Sequence, residues 1–124
     1  MAARELIVIL LNYTNEELAM DPQSPHLEQG EWMTDTPESQ PPAEIMAGES
    51  GMWRCKSRHV GAGTVGSVSY RIVRYGEKDK ITLSWDIRYV GSSKFEYTVE
   101  AEEFTMRVLG GGGKQAVAVF VFET

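Results

Sequence analysis

The sequence has little of what several common functions require. It contains one cysteine, Cys55, so no internal disulfide can staple it. It contains two histidines, His26 and His59, whereas a zinc site draws on about four ligands at suitable spacing. No apolar stretch approaches the ~18 residues of a membrane-spanning helix. The N-terminal run Leu6-Ile7-Val8-Ile9-Leu10-Leu11 is six residues long, follows Arg4 and Glu5, and has no small-residue cleavage site after it. It reads as a buried strand rather than a secretion signal. The expected protein is therefore soluble, made in the cytoplasm of the producing cell and released from it without a standard leader. Basic charge is scarce too: 12 Lys and Arg stand against 18 Asp and Glu, a formal charge of -6. That excludes the basic footprint of a non-specific nucleic-acid binder. It also excludes adsorption to anionic lipid by charge alone.

What is present suits one globular domain over residues 1–124, since 42% of the chain is hydrophobic and 24% charged. The charge is unevenly spread. Residues 5–53 hold ten acids and no Lys or Arg, whereas residues 54–88 hold eight bases against three acids. Two readings follow. The segments face each other across strands and neutralise, or they form a bipolar surface that orients the protein on a partner.

Period-two alternation recurs along the chain. Val68, Tyr70 and Ile72 fall on one strand face, as do Ile81, Leu83 and Trp85. Near the C-terminus Val117, Val119 and Val121 point one way and Phe120 and Phe122 the other. Clusters rich in Gly, Pro, Asn, Asp and Ser separate these runs, at residues 12–15, 21–25, 76–79, 91–93 and 110–113. Short strands at this spacing predict an all-β, antiparallel sandwich or barrel. The Pro-, Glu- and Ser-rich stretch 35–50 reads as a long surface loop crossing between sheets. Gly110–Gly113 reads as the turn before the last strand.

Most candidate chemistry fails on context. Gly61-Ala62-Gly63-Thr64-Val65-Gly66 satisfies G-x-G-x-x-G, but strand period follows it instead of a helix, so no pyrophosphate site forms. Cys55 and His59 fall on one face of an extended strand but lack further ligands. Ser57 and His59 have nothing to activate them as a nucleophile and base. Asn12-Tyr13-Thr14 fits a glycosylation sequon and reads better as a turn. The expectation is a protein without catalysis, cofactor or metal. The aromatics carry more. Trp32, Trp53, Trp85, Tyr89, Phe95 and Tyr97 are many for a small sheet protein. Those near the turn at 91–93 are candidates for an interfacial patch, because Trp and Tyr suit a surface that is apolar at one end and wet at the other.

An ordered set of stretches resembles the aegerolysin family, small acidic β-sandwich proteins of fungi and bacteria. They are Ala3-Arg4-Glu5-Leu6, Asn12 to Asn15, Leu27-Glu28-Gln29-Gly30-Glu31-Trp32 with Thr34, and Gly63-Thr64-Val65-Gly66 with Ser69-Tyr70. Ile81-Thr82-Leu83 with Asp86, Tyr89-Val90-Gly91-Ser92-Ser93-Lys94-Phe95 and the final glycine run complete it. The chain departs from that pattern at Arg88, where relatives usually have proline, at Ser93, where they have asparagine, and in an acidic Pro-rich insertion near Asp35 to Pro42.

The resemblance implies a sandwich similar to the actinoporin fold that recognises lipid headgroups, often of sphingolipids. It further implies the small component of a two-component pore-forming insecticidal toxin at insect-gut membranes. Its larger partner would be of the perforin-like or insecticidal-toxin type, with self-association left open. The residues expected to meet lipid are Trp85, Tyr89, Phe95 and Lys94, with Asp86 on a headgroup or fixing the turn and Trp32 extending the patch. A carbohydrate-binding, lectin-like module on the same sandwich is the alternative, and a purely structural or assembly protein a third.

Overall fold

The computed structural model describes residues 4–34, 39–111 and 114–124. Ala3, the start of the insertion at Asp35, and Gly112 and Gly113 lie outside them. The described chain forms eleven strands and one 3-10 turn: β1 Glu5–Tyr13, β2 Leu18–Met20, β3 His26–Gln29, β4 Glu31–Trp32, β5 Glu44–Ile45, β6 Ser50–Lys56, β7 Thr64–Ile72, the turn Val73–Tyr75, β8 Lys80–Ile87, β9 Lys94–Val99, β10 Thr105–Gly111 and β11 Gln115–Glu123.

They make two packed sheets. One has five strands in the order β10-β11-β1-β6-β4. The other has six, in the order β5-β2-β7-β8-β9 with β3 also on β7. Every pairing is antiparallel except β1 with β11, which run parallel in register from Glu5 opposite Gln115 to Tyr13 opposite Glu123. These two strands are joined only through the rest of the domain, so no short turn imposes the antiparallel sense on them. The all-β sandwich expected from alternation is therefore the fold.

Alternation decides the core. Leu6, Val8 and Leu10 of β1, Trp53 and Cys55 of β6, and Phe120 and Phe122 of β11 point inward from the five-stranded sheet. Val68, Tyr70 and Ile72 of β7 and Ile81, Leu83 and Trp85 of β8 meet them from the other. Stretch 35–50 is more than a surface loop where described, because Ile45 on β5 enters the core and β5 pairs with β2.

The turn after β1 is held by hydrogen bonds among its own buried polar groups. Asn12 accepts hydrogen bonds from the Thr14 amide and hydroxyl and donates to the Glu16 and Met46 carbonyls. The sequon asparagine is thus a buried turn organiser. The acidic first part does pair with the basic middle: Arg74 clasps Glu16 through two nitrogens, Arg71 meets Asp21 at 3.3 Å, and Lys56 meets Glu31 at 3.9 Å. The neutralising reading of the charge split has this much direct support.

Candidate functional site

On the outer face of the six-stranded sheet, β7, β8 and β9 present their non-core residues. Antiparallel pairing sets Ser67 opposite Ser84, Ser84 opposite Glu96, and Asp86 opposite Lys94. β3 crosses beside β7 and brings His26 and Glu28 to the same place. Together they line a cleft of about 310 Å³. The cleft carries three carboxylates (Glu28, Asp86, Glu96), one ammonium (Lys94), one imidazole and two serine hydroxyls.

Its floor depends on a missing side chain. A Cβ on Gly66 would lie 2.7 Å from the Trp85 ring and 2.9 Å from the His26 carbonyl oxygen. Glycine lets β3 and the indole close on β7 from opposite sides. Beneath the floor, the Trp85 indole N–H donates to Thr64 Oγ1 at 3.4 Å. Thr64 in turn donates to the Gln29 carbonyl at 3.0 Å and meets Cys55 Sγ at 3.4 Å. This fully buried threonine ties the cleft to the opposite sheet. Burial pushes the Cys55 thiol up to about 11, so it stays protonated and inert at neutral pH.

The six residues expected to form one patch are distributed differently. Trp85, Asp86 and Lys94 line the cleft. Trp85 is a core residue, 2% exposed, so it presents the edge of a supported ring and no free face to enter a bilayer. Phe95 lies within β9 rather than in a loop. It is half-buried beside the core, where a Cβ on Gly110 would come within 3.2 Å of its ring. Trp32 packs edge-on against Trp85 with centroids 6.3 Å apart and lines a separate cleft with Glu31, Met33, Thr34 and Lys56. Tyr89 sits in the β8–β9 turn, 38% exposed, with the Arg4 guanidinium 4.8 Å over its ring. Arg4 Nη2 also donates to the Tyr89 carbonyl at 2.6 Å, which fixes that turn against the start of β1.

The register of Thr64 opposite Ile87 brings the β6–β7 and β8–β9 turns to one end of the sandwich. Val60 and Val90 are exposed there, the latter by 81%.

Sequence reasoning missed His26, Glu28, Ser67, Ser84 and Glu96. The turn at 91–93 carried a signal for two of them, because a hairpin about it sets Ser84 and Asp86 against Glu96 and Lys94. His26 and Glu28 had none, since β3 reaches β7 across a long separation. Two other juxtapositions fail in space. β6 ends at Lys56, so Cys55 is buried while His59 is exposed in the turn beyond. Ser57 is buried and accepts the Arg4 amide at 3.0 Å. Among the described residues, no group of three or more His, Cys, Asp or Glu side chains could hold a metal, and no helix is long and apolar enough to cross a membrane.

No protein-family model matches the chain, and no curated protein matches it in sequence. Solved structures match it in fold. It superposes on the lipid-binding protein Nakanori with a TM-score of 0.84 at 12% identity, covering 100% of this chain and 73% of that one. It superposes on the RahU protein, solved in complex with a TRIS molecule, with a TM-score of 0.75 at 14% identity, covering 99% and 96%. At such identities the likeness establishes the sandwich and its topology.

Proposed function

We propose that this domain recognises a membrane-lipid headgroup in the cleft on the outer face of the six-stranded sheet. The observation that carries the reading is a small, rigidly floored, mixed-charge cleft on a sandwich whose structural neighbour is a lipid-binding protein. The cleft's chemistry suits a zwitterionic phosphoryl headgroup. Glu28, Asp86 and Glu96 offer carboxylates to its amine or quaternary ammonium, and Lys94 offers an ammonium to its phosphate. An acidic protein needs such local complementarity, because its net charge of -6 works against adsorption to anionic membranes. The exposed end with Val60, Tyr89 and Val90 makes the shallow apolar contact.

The domain acts as a binding module without catalysis. In the finer form of this reading, which rests on the aegerolysin resemblance, it is the membrane-recognising small component of a two-component pore-forming insecticidal toxin. A larger partner then supplies the pore at the target membrane. The lectin-like alternative is less well served. Sugar binding favours an open aromatic platform, whereas the cleft offers only the edge of Trp85, and Tyr89 already lies under Arg4.

The test is vesicle flotation with neutral phosphatidylcholine, sphingomyelin and phosphosphingolipid membranes, beside a glycan array. At least one phosphoryl-headgroup membrane is expected to bind. Lys94→Gln and Glu28→Gln should each weaken that binding about tenfold, the scale of one lost charge-assisted contact, without changing the melting temperature. Failure to bind any vesicle rejects lipid recognition. Binding to glycans alone moves the protein to the lectin class.

A further inference from the structure

We infer that the outer face of the five-stranded sheet is covered by the same face of a second copy of this chain. This inference stands apart from the lipid reading, which concerns the opposite side of the sandwich.

The registers of β10, β11, β1 and β6 arrange the outward residues in rows. The central row is Leu109, Val119, Ile9 and Met52, apolar across four strands. The row on one side is Gly111, Val117, Ile7 and Arg54; the row on the other is Arg107, Val121, Leu11 and Ser50. An antiparallel sandwich normally turns polar residues outward. Here Leu109 is 58% and Val117 42% exposed, Met52 is also exposed, and Ile7, Ile9, Leu11 and Val119 are only half-buried, whereas Val121 is already covered at 3%.

Two features select a second copy as the occupant. The first is area. β1 and β11 have nine residues each, β6 and β10 seven and β4 two; at ~4.8 Å strand spacing and ~3.3 Å rise they give a face of roughly 540 Å². Two such faces together bury about 1,100 Å², just above the ~1,000 Å² that a specific interface should clear.

The second is the absence of like-charge opposition when the face meets itself. The arginines stand at opposite lateral edges of the apolar rows, Arg54 on β6 and Arg107 on β10, with Arg107 paired to Glu123 at 2.9 Å. A two-fold axis along the strands sets Arg54 against the other copy's Gly111 and Arg107 against its Ser50. An axis across the strands exchanges those partners, setting Arg54 against Ser50 and Arg107 against Gly111. Neither arrangement brings cation to cation, and both lay apolar residues on apolar residues, as an isologous interface requires. The rim fits as well. With the axis along the strands, Glu5 meets Gln115 and Tyr13 meets Glu123. With it across them, Glu5 meets Tyr13 and Gln115 meets Glu123, so acid never faces acid.

Sedimentation velocity of the full chain over a micromolar-to-submillimolar range tests this, alone and with Leu109→Lys and Val117→Lys. Both positions are exposed, so the variants fold, and circular dichroism with a thermal melt checks it. The wild type is expected at about 28 kDa, twice the 13.9 kDa of the chain, and both variants at the monomer mass. A wild type that stays monomeric throughout overturns the inference. So does a dimer that both lysine variants leave intact, because its interface then lies elsewhere.

Discussion

The two outer faces of the sandwich are built by the same strand alternation and carry opposite chemistry. β8 turns Lys80, Thr82, Ser84 and Asp86 to one side, while β1 turns Ile7, Ile9 and Leu11 to the other. The inner faces differ far less, since both are ordinary core. Folding thus accounts for what lies between the sheets and leaves the outer surfaces unexplained. A polar outer face needs no partner, and on this one the charge clusters around a floored cleft. The apolar outer face of the five-stranded sheet is left half-exposed.

The contrast requires the polar face to be a surface feature resting on the core, and Trp85 is where the two meet. Replacing Trp85 with Ala removes a buried indole that packs against Trp32 and hydrogen-bonds Thr64. The expected loss is about 3–5 kcal/mol, read by urea unfolding. Lys94→Gln, on the same cleft, should be near neutral in that measurement. If Trp85→Ala instead left stability intact and abolished only vesicle binding, the ring would belong to the surface and the division between core and face would fail.

A smaller effect lies between the faces. Cys55 from one sheet and Thr64 from the other meet at 3.4 Å in the sealed interior. Burial raises the thiol from its ordinary 9.0 to about 11. Above pH 9 the unfolded chain releases this proton while the native chain keeps it, so the native state binds more protons and stability falls as pH rises. The loss approaches about 1.4 kcal/mol per unit between pH 9 and 11 and is absent below that window. Cys55→Ala should flatten the slope of unfolding free energy against pH there. The phenol of Tyr70 is also raised by burial and would leave a residual slope at the alkaline end. An unchanged slope in Cys55→Ala would mean that the seal between the sheets is open to water.

Much of this fold is legible in the sequence. The alternation at 67–75, 80–85 and 116–122 marks β7, β8 and β11, although β7 ends at Ile72 and Val73–Tyr75 turn off as a 3-10 turn, and it correctly groups Val68 with Tyr70, and Phe120 with Phe122. Trp85 reads two ways in the sequence, as core by period and as a lipid contact by resemblance, and its 2% exposure favours the first. The cleft was half legible. Asp86 and Lys94 are paired by a local turn, but His26 and Glu28 arrive through a long-range pairing that no local signal encodes. The apolar run Leu6 to Leu11 held the least obvious message. A continuous apolar strand is the pattern of one buried on both faces. Within one copy only Leu6, Val8 and Leu10 are fully buried, and Ile7, Ile9 and Leu11 still face outward.

The smallest change in stability should accompany a large change in behaviour on vesicles. Leu109→Lys alters an exposed side chain at the sheet edge and should shift unfolding free energy by no more than about 0.5 kcal/mol, the usual range for surface substitutions. If two copies pack through this face, its effect on membranes depends on the direction of the two-fold axis. An axis along the strands keeps both turn-bearing ends on one side, so a dimer binds one membrane with two sites, and its affinity should exceed that of the lysine variant by at least ~100-fold. An axis across the strands sends those ends in opposite directions, so the dimer should cluster vesicles and raise their turbidity. In either geometry Leu109→Lys leaves the intrinsic single-site affinity untouched and removes the second-copy effect. A lysine variant that weakened each site as well would show that the apolar face itself meets the lipid, and the two faces would no longer be functionally separate.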